Sequence, residues 1–188
     1  GSEAAVISAD QLKVKVTGAN GKYLMIQNSA GVYAVAIDSE TKYVKAKDIT
    51  IDNTALVDFT DCKVWVESTD NDRITTAKEA TQGNENWYDV KIMAGDNMTI
   101  SSEAGNGAAS QTGLAGAMTD VVYTANDGYY FPTDYSVTAA NGISVTRNSY
   151  TQITVSGTPS ATTDITLTVA TEKATQSAPT GLSDGVDK

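Results

Sequence analysis

Histidine is absent from the 188 residues, cysteine occurs once, and proline only three times. Without histidine, neither a Ser-His-Asp nor a Cys-His arrangement can assemble within the chain. The lone thiol, Cys62, cannot close an intrachain disulfide, and a thiolate zinc site needs several such ligands. Scarce cysteine suits a cytosolic protein and a disulfide-poor bacterial surface protein equally. Positive charge is also short. There are 13 Lys and Arg against 23 Asp and Glu, a net charge of −10, and no basic cluster stands out. Phosphate backbones and anionic membranes recruit clustered cations, so neither nucleic acid nor a charged membrane surface is an expected partner. No apolar run reaches the roughly 18 residues a spanning helix requires, so no direct membrane insertion is expected of this segment. The opening GSEAAV lacks the basic and apolar regions of a signal peptide, and its Gly-Ser reads as an expression remnant.

What is abundant is threonine, with 26 copies, within a chain that is 40 % hydrophobic and only 19 % charged. Branching at Cβ favours pleated strands and costs helices rotamer freedom, so the composition leans towards β structure. The periodicity agrees. In QLKVKVTG, Leu12, Val14 and Val16 alternate with Lys13 and Lys15, the pattern of a half-buried strand. KYLMIQN reads as its return strand, in a hairpin bent at Asn20-Gly21. VYAVAID is apolar on both faces and reads as a central strand. DCKVWVEST places Cys62, Val64 and Val66 on one face and Trp65 on the other, and NWYDVKIM supplies another strand. TTAKEATQGNEN is the one stretch that reads as a helical turn, or equally as a loop.

SSEAGNGAASQTG is poor in bulky residues and reads as a linker. The expected organisation is therefore a β-rich domain over 1–117 ending in a Gly/Ser/Ala-rich linker, a second domain over 118–173, and a linker or tail over 174–188. The second domain is the more regular. DVVYTAN, YSVTAAN, GISVTRN, TQITVSG and DITLTVA form five short strands separated by Asn-Gly, Asn-Ser and Gly-Thr-Pro turns. That density of strands and turns indicates a sandwich rather than alternating strands and helices. Its expected core is Phe131, Tyr129, Ile143, Val145, Ile153, Val155 and Leu167, with the aromatic run DGYYFPTDY plugging one end.

These residues also carry a resemblance. ANDGYYF at 125–131, NGISVTR at 141–147, TQITVSGTP at 151–159 and the closing DITLTVATEK resemble small Ig-like modules of bacterial cell-surface proteins, which recur in multidomain proteins of gut Firmicutes. The likeness covers about residues 119–175. It implies an Ig-like fold, a spacer role, and an extracellular or cell-surface location. The first domain resembles no family.

Candidate chemistry is sparse. Glycoside hydrolysis needs only two carboxylates, and Asp58, Asp61, Glu67 and Glu85 are available in an acidic chain where carboxylates also serve as surface charge. STDNDR brings Asp70 and Asp72 together, and oxygen ligands suit calcium. The EF-hand spacing is missing, however, and Asp and Asn also cap ordinary turns. Trp65, Trp87 and Tyr88 are the candidates for ligand contact, because flat sugar rings and protein partners both use exposed aromatics. Burial would make the same rings core. Cys62, in register with Val64 and Val66, reads as a small core hydrophobe. Strand lysines such as Lys15 and Lys63 raise an isopeptide crosslink to Asn or Asp, though no motif singles out a pair.

The sequence thus predicts an all-β fold of two small antiparallel β-sandwich-like domains, the second Ig-like. The expected role is a non-catalytic structural or adhesive segment of a bacterial surface or secreted protein, with no resident cofactor apart from the calcium candidate. Its partner would be a glycan or another surface protein. Two alternatives stand beside it: a carbohydrate-binding module, and a fragment of a glycoside hydrolase.

Overall fold

The structure is a computed structural model that describes residues 3–68 and 78–175. Among these residues the chain is built from strands, with one 3-10 turn at Ala46–Asp48 and no α-helix. It divides into two compact units, residues 1–88 with 112–115, and residues 89–111 with 116–188.

The first unit contains β1 (Ala4–Ile7), β2 (Lys13–Thr17), β3 (Tyr23–Asn28), β4 (Gly31–Ala36), β5 (Thr41–Lys45), β6 (Thr50–Ile51), β7 (Thr54–Ala55), β8 (Lys63–Glu67), β9 (Lys78–Glu79) and β10 (Thr81–Gln82). One sheet runs β10-β1-β2-β5 and another β4-β3-β8-β9. Val14, Val16 and Val44 from the first sheet meet Leu24, Ile26, Val64 and Val66 from the second in one buried cluster. Alternation is the cause: each strand turns its odd or even set inward, and the two inner faces fill the gap between sheets.

Three expectations change here. β2 and β3 do not form a hairpin; β2 pairs with β1 and β5, while β3 pairs with β4 and β8. Their apolar faces confront one another across the core, so GANG carries the chain between sheets, with Ala19 fully buried. The hairpin lies one step later. Asn28 pairs with Gly31 across Ser29-Ala30, and Asn28 Oδ1 accepts the Ala30 N–H at 2.9 Å. β4 is an edge strand rather than a central one. Small apolar side chains made both its faces look buried, yet Val32 is 50 % exposed and Tyr33 37 %. The suspected helical turn is replaced, in its described part, by β9 and β10.

The second unit contains β11 (Tyr88–Met93, whose first residue closes the first unit), β12 (Met98–Ile100), the start of β13 (Ser110–Leu114, whose last three residues belong to the first unit), β14 (Val121–Ala125), β15 (Tyr129–Tyr130), β16 (Ile143–Arg147), β17 (Gln152–Gly157), β18 (Thr163–Thr166) and β19 (Thr171–Glu172). A four-stranded antiparallel sheet runs β12-β14-β17-β16, and another sheet runs β13-β11-β18. Phe131, Ile143, Ile153 and Val155 are fully buried and Leu167 nearly so, whereas Tyr129 and Val145 are half-buried. The unit begins ahead of the Gly/Ser/Ala-rich stretch, because β12 supplies an edge of the β14 sheet and β11 pairs with β18. That stretch contains a strand of its own, β13. YSVTAAN forms no strand beyond an isolated bridge of Ala140 to Ile143. It is tied down by side chains instead, as Thr168 Oγ1 donates to Ser136 O at 3.1 Å.

The all-β class stands, with one addition that periodicity does not report. β1 pairs with β10, and β11 with β18, in parallel.

Candidate functional site

The aromatics singled out from the sequence are largely internal. Trp65 projects from β8 away from Val64 and Val66, but that face is covered too, and the residue is only 2 % exposed. Its indole Nε1 donates to Glu67 Oε1 at 2.6 Å, two positions along the same strand face. A sugar cannot stack on a ring that solvent does not reach, so Trp65 is a structural residue. The same bond takes up Glu67, itself buried, as a structural carboxylate.

Trp87 is 4 % exposed. It lies tilted against Tyr43 of β5, with ring centroids 5.9 Å apart. The Lys15 ammonium of β2 sits over both rings, 5.8 Å from Tyr43 and 5.9 Å from Trp87. Lys13 Nζ donates to the Trp87 carbonyl at 2.6 Å. Lysine stems and two rings thus make a second packed layer on the outer side of the β2-β5 face, a cation–π arrangement. The Trp87 indole N–H finds no acceptor among the described residues. Tyr88 is half-buried at the start of β11. The three suspected contact residues therefore do not form one exposed platform.

One ring of that packed layer, Tyr43, also borders an open hollow. A groove of about 270 Å³ opens between the edge strands β4 and β5. Tyr33 and Val35 line one side, Tyr43 and Lys45 the other, and Asp48 lies at the 3-10 turn. Lys42, also on the rim, is paired at 3.1 Å with Asp38. This pairing, first through its hydrogen bond and then through charge, holds the Asp38 carboxyl below its ordinary value. Sequence reading passed these residues over. The signals were present, in the charge-free run VYAVA and the aromatic-cation run TKYVK, but only the folded chain sets them side by side.

The second unit has a wider hollow of about 440 Å³, between β18 and the segment around Ser136, lined by hydroxyls of Ser136, Thr138, Thr166 and Thr168 with Asp164. Tyr135 precedes Ser136 in the chain and bonds to Thr168. Its hydroxyl donates to Thr168 O at 2.7 Å, and its ring meets Phe131 edge-on at 5.0 Å. Burial pushes the Tyr135 hydroxyl up to about 12, partly offset by that hydrogen bond.

The remaining candidates resolve individually. Asp58 Oδ1 accepts the Thr60 N–H at 2.9 Å, a turn cap; the Thr60 side chain first, and then this backbone bond, hold its carboxyl below the usual range. Asp61 and Glu85 are exposed. Cys62 is partly buried against the core, and burial, then the Asp58 and Asp61 charges, push its thiol up. Such a group stays protonated and unreactive. Lys63 is exposed, and Lys15 is engaged with the rings. Asp70 and Asp72 lie outside the described residues. Among the described residues, no group of three or more Cys, Asp or Glu is placed to hold a metal ion, and no helix is long and apolar enough to cross a membrane. No protein-family model, curated protein or solved structure matches the chain.

Proposed function

We propose that this chain is a non-catalytic structural and adhesive segment of a bacterial surface or secreted protein, its second unit being an Ig-like spacer and its first the presenting unit. The observation that carries the reading is the route of the chain through the second unit. β11 and β18 run parallel, with Val90 opposite Thr163 and Met93 opposite Thr166. The chain therefore enters this ladder at one end and leaves it at the other, as a unit passing a polypeptide onward in a line must. A hairpin-like entry and exit would return the chain to its starting side. The Ig-like resemblance of residues 119–175 supports the same role.

The test is surface labelling of intact cells of the source organism with a membrane-impermeant amine reagent. The expected result is labelling of this segment on intact cells or its recovery in the medium. Retention inside protoplasts would refute the reading.

A glycan-binding role for the first unit is a second reading, favoured by the β4–β5 groove, where Tyr33 and Tyr43 lie with Lys45 and Asp48. Rings for stacking beside polar groups are the usual furniture of such sites. It predicts glycan-array binding that is lost in Tyr33→Ala and unaffected by Val57→Ser, a change at an exposed position. Absence of binding across the array would dispose of it.

A further inference from the structure

We propose that both units are built to bear tension along the chain, and that the parallel ladders β1–β10 and β11–β18 are the elements that resist it. The spacer reading supplies the reason why tension would reach the chain. The ladders' response to load does not depend on it.

In the first unit β1 lies parallel beside β10, the last strand before the chain first leaves that unit at residue 88; in the second β11 lies parallel beside β18, which among the described residues is followed only by the two-residue β19, paired antiparallel with β15. Load on the chain then pulls two parallel neighbours in opposite directions along their own axes. All the bonds between them are strained together, whereas strands pulled apart from one shared end open bond by bond. Parallel pairing needs a long crossover and is slightly weaker per residue than antiparallel pairing. Its placement at this one position in both units is therefore the feature that needs a reason.

Both ladders run on beyond their strand cores. In the first unit, Val6 and Ile7 pair with Thr81 and Gln82. Gly83 N then donates to Ile7 O at 2.7 Å, and Ala9 N to Glu85 O at 2.8 Å. In the second unit, the four pairs from Val90 to Met93 are followed by Leu167 N to Met93 O at 2.9 Å and Ala170 N to Asp96 O at 3.0 Å. Side chains fasten the ends, where peeling would start. Gln82 Nε2 donates to Ser8 O at 2.9 Å, and Asn86 Oδ1 accepts Asp10 N at 2.9 Å. In the second unit, Thr162 Oγ1 accepts Asp89 N at 3.1 Å, and Asn97 Nδ2 donates to Ala170 O at 3.3 Å.

Each ladder also contains a glycine that close approach requires. A Cβ at Gly83 would come within 2.6 Å of Val6 Cγ1 and 3.0 Å of Ile7 O. One at Gly95 would come within 2.7 Å of Leu167 O and 2.8 Å of Thr168 O. Neither glycine has a left-handed φ, so the demand at these positions is for space between backbones, not for a turn. Val90, Ile92, Thr163 and Ile165 are buried, which shields the second ladder's bonds from competing water.

The test is single-molecule force spectroscopy on the whole chain in two geometries. In one it is held at its two ends. In the other it is held at the N-terminus and through a cysteine replacing the exposed Ser160, in a Cys62→Ser background, so that β11 and β18 are loaded from the same end. The second unit's event is recognised by its length gain, which stops at residue 160 in the second geometry. End-to-end loading is expected to unfold the second unit at least about tenfold more slowly at equal force, because forced unfolding reports the unfolding rate. Thr162→Val, at an exposed position, is expected to speed unfolding of its unit under end-to-end load by about fivefold, the effect of one hydrogen bond, and Gln82→Ala, which removes the bonds to Ile7 O, Ser8 O and Gly83 O, to speed unfolding of the first unit by at least as much. Equal rates in the two geometries would overturn the proposal. So would variants that lower the thermal midpoint without changing the rate under load. Either failure leaves the surface-labelling result untouched, so the two ideas fall separately.

Discussion

Replacing Tyr135 with phenylalanine removes one oxygen from the second unit and keeps the ring against Phe131. The oxygen lost is the donor to Thr168 O at 2.7 Å. A single neutral hydrogen bond near the surface contributes about 1 kcal/mol, so Tyr135→Phe is expected to be that much less stable at pH 7. The difference should then reverse with alkali. Tyr135 is neutral when protonated, and its pKa is pushed up to about 12 in the folded state, against about 10 for an unperturbed tyrosine. The folded state thus holds the proton more tightly than the unfolded state. The wild-type contribution is complete below pH of about 10 and drains away as pH rises through the folded value of about 12. Two pH units correspond to about 2.7 kcal/mol at full weight, and to about 2 kcal/mol once the solvated part of the ring is discounted. Phenylalanine has no such loss. The two proteins should therefore have equal stability near pH of about 11, with the variant ahead by about 1 kcal/mol above pH 12. Both tryptophans, Trp65 and Trp87, lie in the first unit, so their fluorescence does not report this unit. Urea titrations followed through assigned methyl signals of Ile143 and Val145 in β16 and Ile153 and Val155 in β17, which do not exchange with water in alkali, do. Tyr123, whose hydroxyl burial also pushes up, titrates in both proteins and cancels in the difference. A stability difference of constant sign from pH 7 to 12 would refute the claim that burial controls this hydroxyl.

Three further outcomes are expected. Phe131→Ala removes a fully buried ring from the second unit and should cost about 3–5 kcal/mol, measured by the same methyl-resolved titration. Trp65→Phe deletes the 2.6 Å donor to Glu67 and should cost about 2–3 kcal/mol, followed by Trp87 fluorescence in urea; an unchanged midpoint would mean the buried carboxylate gains nothing from the indole. Cys62 should react with an aromatic disulfide at pH 8 more slowly in the native protein than after unfolding, because burial and the Asp58 and Asp61 charges hold its thiol up. Equal rates would show that the thiol is not shielded.

Much of the local structure follows from short-range rules. Val14 and Val16 point inward and Lys13 and Lys15 do not, because a strand alternates and only one face meets the core. The same rule placed β16 and β17, and the lack of large side chains in that part of the chain marked Phe131 as core. Periodicity is blind, however, to which strand lies beside which. QLKVKVTG and KYLMIQN look like two arms of one hairpin, and only the shared core reveals that they belong to facing sheets. VYAVAID reads as apolar on two faces, whereas DCKVWVEST sets Trp65 on a face with Lys63 and Glu67; the first is a half-exposed edge and the Trp65 face of the second is covered, a difference set by neighbours far away in the chain.

The candidate site divides in the same way. Sequence alone determined that the chain is β-rich and acidic, that it has no histidine for catalysis, and that its aromatics are few enough to be weighed one by one. It could not decide whether Trp65 and Trp87 meet solvent, because exposure belongs to the assembled surface rather than to the residue. Tertiary structure made them core, set Tyr33 and Tyr43 on a groove between two sheet edges, and laid the first strand of each unit parallel to a partner more than seventy residues later. Parallel pairing leaves no mark on a strand's own alternation, since its register is chosen by distant backbone partners and by the glycines that let them approach.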